Sequence, residues 1–160
     1  MSKKIILSII IIILIIIIGY IFYISNKKKI DISDLKVFRF SYSTGYAINS
    51  NVRYYVDIED GKYIATIKPN EIPDDDEFKI EISDKEINKI KEILLKNKVS
   101  KWNGFDKVDR FVLDGNSFSL YIRFTNDKTI EASGYMKWPN NYYEVRNSFD
   151  KLFMELYNNK

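Results

Sequence analysis

Six aromatic side chains, Trp102, Phe105, Tyr135, Trp138, Tyr142 and Tyr143, stand in or beside two glycine-containing stretches, Trp102 to Asp106 and Gly134 to Tyr142. Rings with a polar tip suit either a core or a binding surface. Exposed, they would wall a groove on which a sugar ring or an apolar peptide side chain can stack. Buried, they would plug the end of a sheet around the helix that follows. On the first reading the candidate ligand-binding residues are Trp102, Phe105, Tyr135, Trp138 and Tyr142. The nearest carboxylates are Asp106, Asp109 and Asp114. Two such groups across a sugar could hydrolyse it by acid–base chemistry, their separation setting the stereochemical course. Their positions read more simply as turn and cap residues, so no catalytic residue is assigned.

Composition narrows the chemistry. The chain contains no histidine and no cysteine. A serine–histidine or cysteine–histidine nucleophilic site is therefore impossible within it, as are a disulfide, a thiolate metal site and a lipid-bearing cysteine. The run Asp74-Asp75-Asp76-Glu77 lacks the spacing and the glycine of an EF-hand loop and reads as a solvated acidic loop. No metal and no cofactor is expected.

The elements that must position the aromatic stretches are legible from pattern. Phe38, Phe40 and Tyr42 alternate with Arg39 and Ser41 between Val37 and Ser43; Val52, Tyr54, Val56 and Ile58 repeat the period. Asp60-Gly61 is a strong hairpin signal. With these two as the loop, Ile58 faces Tyr63, Val56 faces Ala65, Tyr54 faces Ile67 and Glu59 faces Lys62. Pro69 to Glu77 is a loop, and Phe78, Ile80 and Ile82 form another strand. Ser83 and Glu86 fit a capping box opening a helix to about Asn97, whose stripe is Ile87, Ile90, Ile93 and Leu94. Phe111 and Leu113 meet Asp114-Gly115 as a possible tight turn. Strands at Ser117 to Phe124 and Thr129 to Ser133 would then complete a three-strand meander. Asn140 or Asn141 caps a final helix bearing Tyr142, Val145, Phe149, Leu152, Phe153 and Leu156. The fold class expected is α+β: an antiparallel β-sheet packed against two α-helices, preceded by a transmembrane helix.

That transmembrane expectation rests on Ile5 to Ile24, twenty residues interrupted only by Ser8, Gly19, Tyr20 and Tyr23. A helix of this length rises roughly 30 Å, and its sixteen Ile, Leu and Phe residues favour insertion by about 5 to 10 kcal/mol. No small-residue cleavage pattern follows, so an uncleaved signal-anchor is expected rather than a signal peptide. The organisation read from the chain is an anchor with basic flanks at 1–29, a linker at 30–36 and one domain at 37–160. Lys3, Lys4, Lys27, Lys28 and Lys29 carry the positive balance: removing these five from 25 basic residues leaves 20 against 22 acidic ones, a net of −2 beyond residue 29. A nucleic-acid partner is therefore not expected. The partners expected are the lipid bilayer through Ile5 to Ile24 and a protein or cell-envelope ligand. The domain would face outside the cytoplasm.

Within the aromatic half, Trp102-Asn103-Gly104-Phe105, Leu113-Asp114-Gly115 with Ser117-Phe118-Ser119, Ile130 to Tyr135 and Trp138-Pro139-x-Asn141-Tyr142 resemble uncharacterised domains of low-GC Gram-positive bacterial lipoproteins and membrane-anchored proteins. The resemblance spans Lys101 to Phe153. It implies an envelope compartment and transfers no catalytic residue. A lipidated cysteine, common in such proteins, has no counterpart here. The function expected is a noncatalytic, membrane-anchored binding or interaction module at the envelope, with a carboxylate-dependent glycan enzyme or a structural subunit of a membrane complex as alternatives.

Overall fold

The computed structural model describes residues 11–20, 35–45, 50–70, 73 and 76–159. The chain divides into two units, Met1–Asp31 and Ile32–Lys160. In the first, residues 11–20 are helical (α1), and Ile11 to Ile18 and Tyr20 are each roughly half exposed or more. Among the described residues no helix is long and apolar enough to cross a membrane. At 1.5 Å per residue α1 rises about 15 Å here, half the hydrocarbon thickness of a bilayer. The transmembrane helix and signal-anchor expected over Ile5 to Ile24 are corrected accordingly; the rest of that run and its flanking lysines lie outside the described residues.

The second unit is α+β. Its strands are β1 (Leu35–Ser43), β2 (Asn51–Glu59), β3 (Lys62–Lys68), β4 (Phe78–Ile82), β5 (Phe105–Val108), β6 (Ser117–Phe124) and β7 (Thr129–Tyr135). Its helices are α2 (Asp84–Lys96), a 3-10 turn at Val99–Trp102 and α3 (Tyr142–Asn158). β1 begins inside the stretch read as a linker. The seven strands make one sheet in the order β4-β3-β2-β1-β6-β7-β5. Every neighbouring pair is antiparallel except β5 and β7, which run parallel. The sheet is therefore mixed rather than antiparallel throughout. Its edge strand β5 occupies residues read as irregular, while Phe111 and Leu113 form no strand and are 98% and 92% exposed.

The β2–β3 hairpin has the expected register, with Ile58 opposite Tyr63, Val56 opposite Ala65, Tyr54 opposite Ile67 and Glu59 opposite Lys62. Asp60 and Gly61 both take positive φ, 50° and 77°, the backbone that a two-residue turn of matching twist requires. The capping box of α2 also forms: the Ser83 amide donates to Glu86 Oε2 at 3.1 Å, and Ser83 Oγ accepts from the Lys85 amide at 3.2 Å. The Ser83 hydroxyl donates to the same carboxylate and, with the amide, holds it below its usual titration range.

α3 covers the core side of the sheet. Tyr142, Val145, Phe149, Leu152 and Phe153 are buried on the sheet, Phe149 against Phe38 at 4.9 Å and Phe153 stacked on Tyr54 at 4.6 Å. Each large side chain buried this way contributes roughly 1.5 to 3 kcal/mol. A polar contact fixes the helix's position along the strands: Asp150 accepts hydrogen bonds from Tyr42 at 2.7 Å and Tyr54 at 2.9 Å, and the Arg146 guanidinium lies 4.1 Å over the Tyr42 ring. Burial and, after it, the bond to Asp150 push the Tyr42 phenol up to about 12. Tyr54 is raised further, also chiefly by burial.

Candidate binding groove

The two aromatic stretches meet at the β5 end of the sheet. After α2, Lys98 takes a left-handed conformation (φ 55°), which redirects the chain into the 3-10 turn and buries Val99 and Trp102. The Trp102 indole donates from Nε1 to the Asn140 carbonyl at 3.0 Å, tying this turn to the segment that precedes α3. The Gly104 amide donates to the Glu131 carbonyl at 2.8 Å, and the Glu131 amide donates to Asn103 Oδ1 at 2.9 Å. Those two bonds set β5 beside β7. At Gly134 a side chain has no room: a Cβ would lie 2.2 Å from the Lys137 carbonyl oxygen and 2.6 Å from the Phe118 ring. Glycine there allows Phe118 and the turn after β7 to close on one another.

Phe118, inward-facing on β6, is the hub of the rings. Tyr142 lies 4.8 Å from it, Trp138 5.7 Å, Trp102 6.1 Å and Phe105 6.2 Å. Trp138 stacks on Tyr142 at 4.6 Å with planes 19° apart. Such pairs add about 0.5 to 1.5 kcal/mol each beyond the area they bury. Trp102 and Tyr142 are fully packed, whereas Trp138 and Phe105 are only part-buried. Burial also raises the Tyr142 phenol above its ordinary range.

The part-buried rings face a groove of about 610 Å³, within the size range of small-ligand sites. Trp102, Phe105 and Trp138 form its apolar wall, and Lys98, Lys101 and Lys107 stand around it. Lys107 Nζ sits 5.4 Å from the centre of the Phe105 ring. Asn140 and Asn141 close the far side; Asn141 occupies the cap position of α3 with φ 63° and makes no side-chain capping bond, contrary to the cap expected there.

Of the five candidate residues, the structure brings four together. Trp102, Phe105 and Trp138 line the groove, and Tyr142 lies beneath, supporting Trp138. Tyr135 is separated from them. Strand alternation buries Ala132 and Gly134 on the helix-covered face and turns Tyr135 to the opposite side, where its ring reaches the backbone at Gly115. Tyr143 touches Trp138 at 6.1 Å but is largely exposed.

The three aspartates have separate local partners. Asp106, between Phe105 and Lys107, turns away from the groove and accepts from Ser133 Oγ at 2.6 Å. Asp109 pairs with Lys137 at 2.9 Å and accepts the Phe111 amide at 3.1 Å; the lysine first, then the amide, draws its carboxyl below the usual range. Asp114 is exposed in the loop between β5 and β6. Among the described residues no three His, Cys, Asp or Glu side chains gather as a metal site. Of the acidic run, Glu77 pairs with Arg53 at 2.6 Å, while Asp74 and Asp75 lie outside the described residues.

Sequence reasoning missed Phe118 and the three lysines as parts of this region. The inward period of β6 marked Phe118 as core, and only the parallel pairing of β5 brings it under the groove. The lysines at 98, 101 and 107 flank Trp102 and Phe105 closely in sequence, a signal readable only with the rings taken as one centre.

Comparison with known proteins finds no matching family model and no matching curated protein.

Proposed function

We propose that the domain at 32–160 is a noncatalytic binding module whose ligand surface is the groove between the 3-10 turn, β5 and the segment before α3. The observation that carries this reading is the convergence of two irregular aromatic stretches on one cavity with a part-buried tryptophan in its wall. Irregular backbone held on a rigid sheet is where recognition is commonly placed. The lipid contact of the chain belongs to the apolar run Ile5 to Ile24, supported by the exposed isoleucines of α1. The carboxylate-enzyme alternative finds less support, because among the described residues no acidic side chain lines the groove.

Fluorescence quenching by acrylamide on the full chain in non-ionic detergent tests the groove. Trp138 is expected to be quenched and Trp102 to be shielded, and W138F should remove the quenchable component. Two fully shielded tryptophans would sink the groove as a binding surface. Flotation of the full chain with phosphatidylcholine vesicles tests the lipid contact, and a chain that stays at the bottom of the gradient would remove it.

A further inference from the structure

The groove departs from the charge of the domain that carries it. Beyond residue 29 acids slightly outnumber bases, yet among the described residues three lysines and no acid line this cavity. None of Lys98, Lys101 and Lys107 makes an ion pair with a described residue, whereas lysines elsewhere on the sheet do, Lys62 with Glu81 and Lys79 with Glu59. Three like charges around one concavity repel each other and lower the cost of bringing an anion in. Lys107 is held over the Phe105 ring, so its charge stands at the aromatic wall itself.

Resting on the binding-module reading, we infer that the groove takes a carboxylated saccharide, its sugar face on Trp138 and its carboxylates among Lys98, Lys101 and Lys107. Three complementary chemistries converge there. Tyr142 backs one face of the Trp138 indole and holds the ring flat, which suits stacking against the C–H face of a pyranose. The exposed asparagines 140 and 141 offer amides that can donate to and accept from ring hydroxyls. The lysines supply point charges for carboxylates that need no fixed bidentate geometry. An acidic peptide would satisfy the lysines alone and make less use of a flat indole and two amides.

Titrating the full chain in detergent with tetragalacturonate, chitotriose and tetraglutamate, read by tryptophan emission and calorimetry at low and high salt, decides it. Tetragalacturonate should bind tightest, weaken as salt is raised, and lose about tenfold in affinity in the K98Q/K101Q/K107Q variant. These lysines are exposed and form no ion pair with a described residue, so that variant should unfold at the same temperature as the native chain; the salt dependence of the native chain gives a second readout if it does not. Chitotriose binding as tightly, indifferent to the lysine changes, would overturn the anionic assignment and leave the groove as a binding surface. Tetraglutamate binding best would replace the saccharide with an acidic peptide. No binding of any probe with Trp138 still quenchable would overturn the saccharide inference alone, whereas a shielded Trp138 would overturn the groove itself.

Discussion

At one end of the sheet β2, β3 and β4 follow one another in sequence, and each strand pairs with the one made just before it. At the other end β5 pairs with β7, some 27 residues further along, as in Phe105 with Ala132 and Asp106 with Ser133, and does so in parallel. The first end is held by apolar alternation and one Asp-Gly turn. The second depends on single placements: the Trp102 indole on the Asn140 carbonyl, the Asn103 amide oxygen under β7, and a glycine at 134. The aromatic-walled groove of about 610 Å³ lies at the second end, built from a 3-10 turn, a four-residue strand and a loop, whereas the cleft over the regular strands β1, β2 and β6 is smaller, about 270 Å³. The aromatic groove arises where local pattern stops specifying structure.

The core common to both ends gives the largest expected effect. Phe149→Ala should cost about 3 to 5 kcal/mol, since a fully buried ring leaves a cavity between Phe38 and Phe40, and urea unfolding measures it. Unchanged unfolding would mean α3 does not unite the two ends.

High pH attacks the same junction. The phenols of Tyr42, Tyr54 and Tyr142 are held protonated above their ordinary value of 10.0, so their contribution is full below pH 10. It is lost as pH rises through 10 towards about 12 for Tyr42, by about 1.4 kcal/mol per pH unit for each group that ionises only when unfolded. Thermal unfolding against pH should show that decline, and Y42F should flatten part of it.

Gly134→Ala separates the ends. Overpacking against the Lys137 carbonyl and Phe118 should cost about 1 to 3 kcal/mol and shift Trp138 emission, with the β2–β3 hairpin amides as protected from hydrogen exchange as before. Equal loss of protection in both would erase the distinction drawn between them. Ser83→Ala should cost about 1 kcal/mol through the capping box of α2, read as a lower unfolding midpoint with tryptophan emission unmoved.

These contrasts explain what could be read from the chain alone. The β2–β3 register, the capping box and the buried stripe of α3 are properties of residues close in sequence, and all three are legible. β5 was not: Phe105-Asp106-Lys107-Val108 is short and only half apolar, and its pairing is decided by Asn103 and Gly104 meeting Glu131. Phe111 and Leu113 misled for the converse reason, being apolar residues near a turn signal with no strand to join. Trp102, Phe105, Trp138 and Tyr142 were grouped by density of rings, which is a local property. Placing Tyr135 apart from them required knowing which face of β7 it occupied.

β1 lies at the centre of the finished sheet, between β2 and β6, yet it is made first and β6 begins only at Ser117. While the ribosome adds the intervening residues, β1 is an edge strand with a free row of amides and carbonyls, and Phe38 and Phe40 wait for a helix that starts at Tyr142. An apolar edge of that kind is a template for pairing with another chain. The strand at the centre of the finished sheet thus spends synthesis with an open edge until β6 is made, and with its apolar face uncovered until α3 is made.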